Sequence, residues 1–360
     1  MHICLISVEI FAWGKYGGYG RATRIIGREL AKLGVQVTAI VPRRQDQKPV
    51  EFLDDIRVLS FKMNDLVGML RLYRETTADI YHSQEPSFGT FIAQKYHPDR
   101  VHIVTCRDTH MLSDWLIEFK LPSLNKLQVI SNWLYEDNPL VHYAVRRADG
   151  CYVAAQLLKE RAQKKYKLPT PPEFLPTPVK IPASIEKSQK PTVCFAARWD
   201  RRKQPEVFFE LAKSFPEVHF IAAGYSRDKK WDAKLRERYG KLENVELSGF
   251  VNQFDNDNLS SIFSRSWIMV NTAAREGLPN SFIEAAAHRC AILSSVDPDG
   301  FASKFGVHVQ DGDFETGLCS LLEEDEWKLK AENGYEYVKE FFSLDKSIQL
   351  HLRYYRNLLG

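Results

Sequence analysis

Short runs of β-branched and apolar residues alternate along this chain with longer segments whose apolar positions recur every three or four residues. That is the order expected of βαβ units built on parallel sheets. His2–Val8 reads as a buried strand, followed by a Gly-rich loop and a helix over Arg21–Leu33 with Ile25, Ile26, Leu30 and Leu33 on one face. Gly34 supplies the stop signal of that helix. Val35–Val41, Asp79–His82 and His102–Cys106 read as further strands, and Met63–Glu75 as an amphipathic helix carrying Leu66, Met69, Leu70 and Tyr73.

The pattern breaks at Leu168–Pro191, where proline is dense and neither period is sustained, so the segment reads as a linker. A second alternating series then begins. Strands are expected at Thr192–Ala197, Val218–Ala223, Val245–Leu247, Ile268–Asn271 and Ala291–Ser295. Helices are expected at Pro205–Phe215, Trp231–Tyr239, Leu259–Arg265 and Asn280–His288, and a long one, interrupted near Ser343, at Trp327–Leu358. We therefore expect an α/β protein of two Rossmann-like domains: 1–170, a linker at 171–190, and 191–341, with the tail 342–360 packing back on the first domain.

Composition narrows the classes. With 360 residues the chain is long enough for two cores, and its net charge of +3 gives no broad field for nucleic acid or an anionic bilayer. The six cysteines are scattered without a Cys-x-x-Cys pair and read as reduced thiols. The first residues enter a strand without the marks of a leader, and no apolar run approaches a membrane span, so a cytoplasmic protein is expected, with peripheral membrane contact left open.

Three clusters could carry chemistry. The loop Gly14–Arg21 precedes a helix, and its backbone N–H groups, Gly17 and Gly18 among them, could hold an oxyanion; a plain strand-to-helix turn is the alternative. Its spacing is not the G-x-G-x-x-G of dinucleotide binders. Arg198 and Lys203 lie just beyond a buried strand, at the end of a parallel sheet where ligands bind, and two cations there suit a diphosphate. Arg201 and Arg202 receive no role. In REGLPNSFIEAAA, Glu276 and Glu284 bracket a loop-to-helix transition at which Leu278, Pro279, Asn280 and Ser281 present backbone, and a carboxylate accepts well from sugar or ribose hydroxyls. No His, Asp or Glu cluster has metal-ligand spacing, and Asp297–Gly300 fits a turn.

Taken together, GGYGR, RWDRRK and the E-x7-E of EGLPNSFIEAAA resemble the retaining glycosyltransferases of family 4. The resemblance covers most of the chain and is weakest over 107–147. It implies the GT-B fold, two Rossmann-like domains facing each other across a cleft, and sugar transfer from a nucleotide-sugar donor to a glycan or glycoconjugate acceptor without metal or other cofactor. It further implies that Glu276 contacts the transferred sugar, Glu284 the nucleotide ribose, Arg198 and Lys203 the diphosphate, and Gly17–Gly18 the phosphates or acceptor. Two departures stand out. Where the family has a histidine before an aspartate, this chain has Arg107 before Asp108, with His110 two residues on, so either Arg107 or His110 takes that place. Arg289 and Ala291 stand where the family commonly has Gly and Pro.

His82 and Glu85 at a strand end read equally as core or acceptor-site residues. Residues 111–147 read as an acceptor-facing surface, as core of the first domain, or as an amphipathic membrane-contact face. Rival readings of the whole are a sugar-phosphate enzyme of the same fold and a catalytically silent assembly or regulatory protein.

Overall fold

The computed structural model describes residues 1–13, 17–254 and 258–360. The chain forms two compact units, one of residues 1–111, 130–178 and 344–360, the other of 112–129 and 179–343. The first differs from the expected 1–170 domain in that residues 112–129 pack with the second unit, and the expected linker 171–190 is divided between the units after Pro178.

In the first unit the strands are β1 (His2–Ile6), β2 (Gln36–Pro42), β3 (Val50–Leu53), β4 (Ile56–Phe61), β5 (Ile80–Ser83), β6 (Val101–Cys106), β7 (Gly150–Val153) and β8 (Glu173–Phe174). They form one eight-stranded sheet in the order β3-β4-β2-β1-β5-β6-β7-β8, parallel except for β3 against β4. Alternate residues face opposite layers, as a two-residue period requires. Ile3, Leu5, Val37, Ala39 and Val58 pack with Ile26 and Leu30 of helix Gly18–Lys32 and with Ile348 and Leu352 of the C-terminal helix. Cys4, Ile6, Ile40 and Leu59 face Met69, Tyr73, Ile92 and Ala93 on the other side. Part of the segment expected as linker is sheet: Glu173–Phe174 runs extended between Pro172 and Pro176 and pairs with β7 as β8.

The second unit holds β9 (Thr192–Ala196), β10 (His219–Ala223), β11 (Val245–Gly249), β12 (Ile268–Asn271), β13 (Ala291–Ser294) and β14 (Gly306–His308). This sheet is parallel throughout, in the order β11-β10-β9-β12-β13-β14. The chain runs from β9 outward to β11, then returns beside β9 as β12, which makes the carboxyl ends of β9 and β12 the topological switch point where such sheets bind ligands. One core face joins Val193, Phe195, Phe220, Ala222, Val270 and Leu293 to Phe208, Phe209 and Leu318 from the covering helices.

Candidate active site

At the switch point the loops after β9 and β12 are stitched together before any functional side chain is considered. The Thr272 hydroxyl donates to the carbonyls of Lys203 (2.6 Å) and Gln204 (2.9 Å), and the Ala274 N–H donates to the Arg202 carbonyl (2.9 Å). Gly224 at the end of β10 supports the same loop. Its φ is +148°, and a Cβ there would fall 1.9 Å from the Ala197 carbonyl oxygen, so only glycine allows this approach.

On this frame Lys203 and Glu276 form an ion pair, with side-chain exposures of 14% and 11%. Burial pulls the Lys203 ammonium below its ordinary pKa, opposed by the Glu276 charge and reinforced by Arg202 and Arg198. Arg198 lies 3.3 Å from the wholly buried Asp200 carboxylate. The structure thus brings together three of the residues singled out in the sequence, two cations and a carboxylate. Asn280–Ala287 is helical, and Pro279 gives its N-terminus no side-chain cap. Leu278, Pro279 and Asn280 are half-buried and Ser281 is buried. Glu284 lies on this helix, and its carbonyl accepts a hydrogen bond from His288 Nδ1 at 2.7 Å. Arg289 follows the helix at φ +54°, the left-handed region that favours glycine, and is held there by Glu332 (2.6 Å) and by stacking over the Tyr335 ring (3.7 Å).

Sequence reasoning missed the second layer of this site. Arg202 pairs with Glu118, and the buried Arg275 with Asp114 at 3.1 Å and Glu118 at 3.9 Å. Ser123 donates to Asp200 at 2.9 Å. Glu118 therefore bridges the residue before Lys203 to the residue before Glu276, and fixes the two loops against each other from helix Leu112–Lys120. The acids Asp114 and Glu118, one helical turn apart, were the available signal, but nothing local says that they meet arginines some eighty and one hundred and sixty residues on.

In the first unit the picture differs from expectation. Gly14, Lys15 and Tyr16 of the Gly-rich loop lie outside the described residues. At Gly17 and Gly18 the anion beside the helix N-terminus is the chain's own Glu9: its Oε1 accepts from the Gly20 N–H at 3.2 Å, and a Cβ on Gly17 would come within 2.0 Å of it. Arg107 is buried, its guanidinium donating to Thr177 (2.7 Å) and Gln84 (2.6 Å). Its guanidinium is thus engaged inside the first unit. Asp108 and His110 are half-buried, with His110 Nδ1 donating to the Asp108 carbonyl at 3.0 Å. Glu85 accepts from the Arg107 and Asp108 N–H groups at 2.6 and 3.1 Å, and burial pushes its carboxyl up to about 8. His82 is a core residue: its ring nitrogens meet the Tyr355 and Thr105 hydroxyls, both at 2.7 Å, and burial drives it well below its usual pKa.

Residues 178–318 match the family model of glycosyl transferases group 1. No curated protein sequence matches the chain. Sucrose-phosphate synthase from Thermosynechococcus elongatus is similar in structure, with TM-score 0.76, 16% identity, and 99% and 98% of the two chains covered. Anabaena HepE in complex with UDP-glucose gives TM-score 0.71 at 12% identity over 99% of both chains. WaaG, a glycosyltransferase involved in lipopolysaccharide biosynthesis, gives 0.70 at 15% identity over 97% and 99%. Among the described residues no helix is long and apolar enough to cross a membrane. The chain therefore has the GT-B fold, and residues 178–318 are similar to the glycosyl transferases group 1.

Proposed function

We propose that this protein is a retaining glycosyltransferase of family 4 that moves a sugar, without metal, from a nucleotide-sugar donor to a hydroxyl of a glycan or glycoconjugate. The observation that carries this reading is the Lys203–Glu276 pair, with Arg198 on the same loop, at the switch point of the second sheet. Lys203 and Arg198 bind the diphosphate and stabilise the charge that grows on it as the sugar leaves. Glu276 accepts from the transferred sugar's hydroxyls, Glu284 from the ribose, and backbone at 278–281 lines the donor. The acceptor oxygen attacks the anomeric carbon on the face from which the diphosphate departs, and its proton passes to that leaving group, so the configuration is kept. The protein's part is positioning and charge. Asp108 and His110 belong to the acceptor side of the reading, and Gly17–Gly18 act there through Glu9. We place the reaction in the cytoplasm.

The complex of HepE with UDP-glucose makes UDP the first nucleotide to try. The test is a thermal-shift and binding panel of UDP, GDP, ADP, CMP and dTDP with their common sugar conjugates, in EDTA, on the wild type and Glu284→Ala. Selective stabilisation by one nucleotide, weakened in the variant, supports the reading and names the base. Absence of binding by all of them sinks it and favours a silent partner protein.

A further inference from the structure

Gln84 and Arg107 stand one residue beyond β5 and β6, at the carboxyl ends of two neighbouring strands of the first sheet. His82 and Gln84, two residues apart, share a face of the sheet, as do Thr105 and Arg107. The 2.7 Å bond between His82 and Thr105 makes it the same face. The C-terminal helix Leu344–Leu359 covers it, with the Tyr355 hydroxyl 2.7 Å from His82 and the His351 ring centre 6.1 Å from that of His82. This is a polar layer inside the first unit, and its charge does not balance. Arg107 is a cation only 6% exposed, and its guanidinium donates to the uncharged oxygens of Thr177 and Gln84. Among the described residues no carboxylate pairs with it. Glu85, the acid beside it, turns Oε2 to the Arg107 and Asp108 N–H groups, and burial pushes its carboxyl up to about 8. Burial also keeps His82 and His351 neutral. A buried cation without a counter-charge is costly, and folded chains ordinarily pair it. Donors are left over in the same place, since Arg107 Nε and Gln84 Nε2 meet no acceptor of the chain. Water would satisfy these N–H groups and leave the charge standing.

We propose that Arg107 and Gln84 hold a small monovalent anion, of the class of chloride, between the ends of β5 and β6 and the C-terminal helix. One guanidinium matches one negative charge, and its Nε–H and the Gln84 amide supply two donors, one of them charge-assisted. The layer is closed: Gln84, Arg107, Thr177, His351 and Tyr355 are all buried, which limits the guest to a few atoms. His351 donates from Nδ1 to the Ser347 carbonyl at 2.8 Å, so its unpartnered Nε2 is an acceptor and takes a water beside the ion, not the ion itself. Occupancy also fixes the backbone that leads from Arg107 to Asp108 and His110. The bearing of that on an acceptor rests on the proposed function; the anion site does not.

The test is thermal unfolding of the full chain in sodium gluconate, exchanged stepwise for chloride, bromide or nitrate at constant ionic strength. Each small anion should raise the wild-type midpoint, by about 3–6 °C for every tenfold rise above its dissociation constant. Arg107→Gln removes the charge, and Gln84→Glu places a carboxylate where Arg107 already donates at 2.6 Å. Both variants should unfold at one midpoint whichever anion is present, and Gln84→Glu in gluconate should be at least as stable as the wild type. Crystals grown in bromide should show anomalous scattering beside Arg107 Nε and Gln84 Nε2. A wild-type midpoint indifferent to the small anions overturns the proposal. So does an equal response in Gln84→Glu, or bromide crystals that hold only water at that place. Should Arg107→Gln not fold, Gln84→Glu and the bromide crystals still decide. Neither readout involves nucleotide or sugar transfer, so a failure of the proposed function leaves this result interpretable.

Discussion

Replacing Glu276 by glutamine keeps the side chain's shape and removes its charge. Lys203 then stays 14% exposed, near Arg198 and Arg202, without the carboxylate that now offsets it. Removing one partner of a buried pair costs about 3–5 kcal/mol. Because this pair is partly exposed, solvent screening brings the cost to or below the bottom of that range, about 2–3 kcal/mol. For a unit of this size each kcal/mol moves the unfolding midpoint by about 2–4 °C, so Glu276→Gln should unfold roughly 4–12 °C below the wild type. A nucleoside diphosphate reverses the sign. In the wild type it must compete with Glu276 for Lys203, whereas in the variant it supplies the missing anion, so its stabilisation should be larger in the variant even as sugar transfer collapses. Differential scanning calorimetry of both proteins with and without the nucleotide identified by the panel measures this directly. Equal midpoints without ligand, or equal ligand-induced shifts, would refute the idea that Glu276 is the ammonium's counter-charge.

Three further outcomes follow from the same geometry. Glu118→Gln should weaken donor-nucleotide affinity about tenfold, the effect of losing a charge-assisted bond that orders the loop; unchanged affinity with lowered stability, read by calorimetric titration, would make the contact structural only. Glu85 is held protonated by burial, at about 8 against an ordinary value near 4.5. The native state therefore keeps a proton that the unfolded chain has lost between those values, and stability should fall as pH rises through that window, by at most about 5 kcal/mol. Urea midpoints from pH 5 to 8 should decline in the wild type and flatten in Glu85→Gln; parallel slopes would exclude Glu85 as the source. Gly224→Ala should cost more than about 3 kcal/mol or prevent folding, since both φ and the Ala197 carbonyl oppose a Cβ, and a soluble variant with a wild-type melt would contradict that.

Much of this protein was legible in its order of residues, because strands buried on both faces and helices buried on one leave separate periods in the sequence. The expected strand at Ile268–Asn271 has the observed bounds, and the break near Ser343 falls between the helices Glu326–Phe341 and Leu344–Leu359. The short strands β3 and β4 went unread: β3 is a partly exposed edge strand with little apolar run of its own, and the turn between them sits on the left-handed residues Asp54 and Asp55. Arg198, Lys203 and Glu276 each follow a recognisable strand, so local pattern alone delivers them to one end of a parallel sheet. What only the tertiary structure decided is which charge meets which. Glu9 accepts from the Gly20 N–H at the helix that follows the glycines, and Arg107 turns inward to Gln84 and Thr177. Helix Leu112–Lys120 leaves the unit that surrounds it in sequence and packs its acids, not its leucines, against the second unit. A helix with apolar residues on one side and acids on the other fits either way round in a periodicity reading; Arg202 and Arg275, remote in sequence, set the orientation by pairing with Glu118 and Asp114.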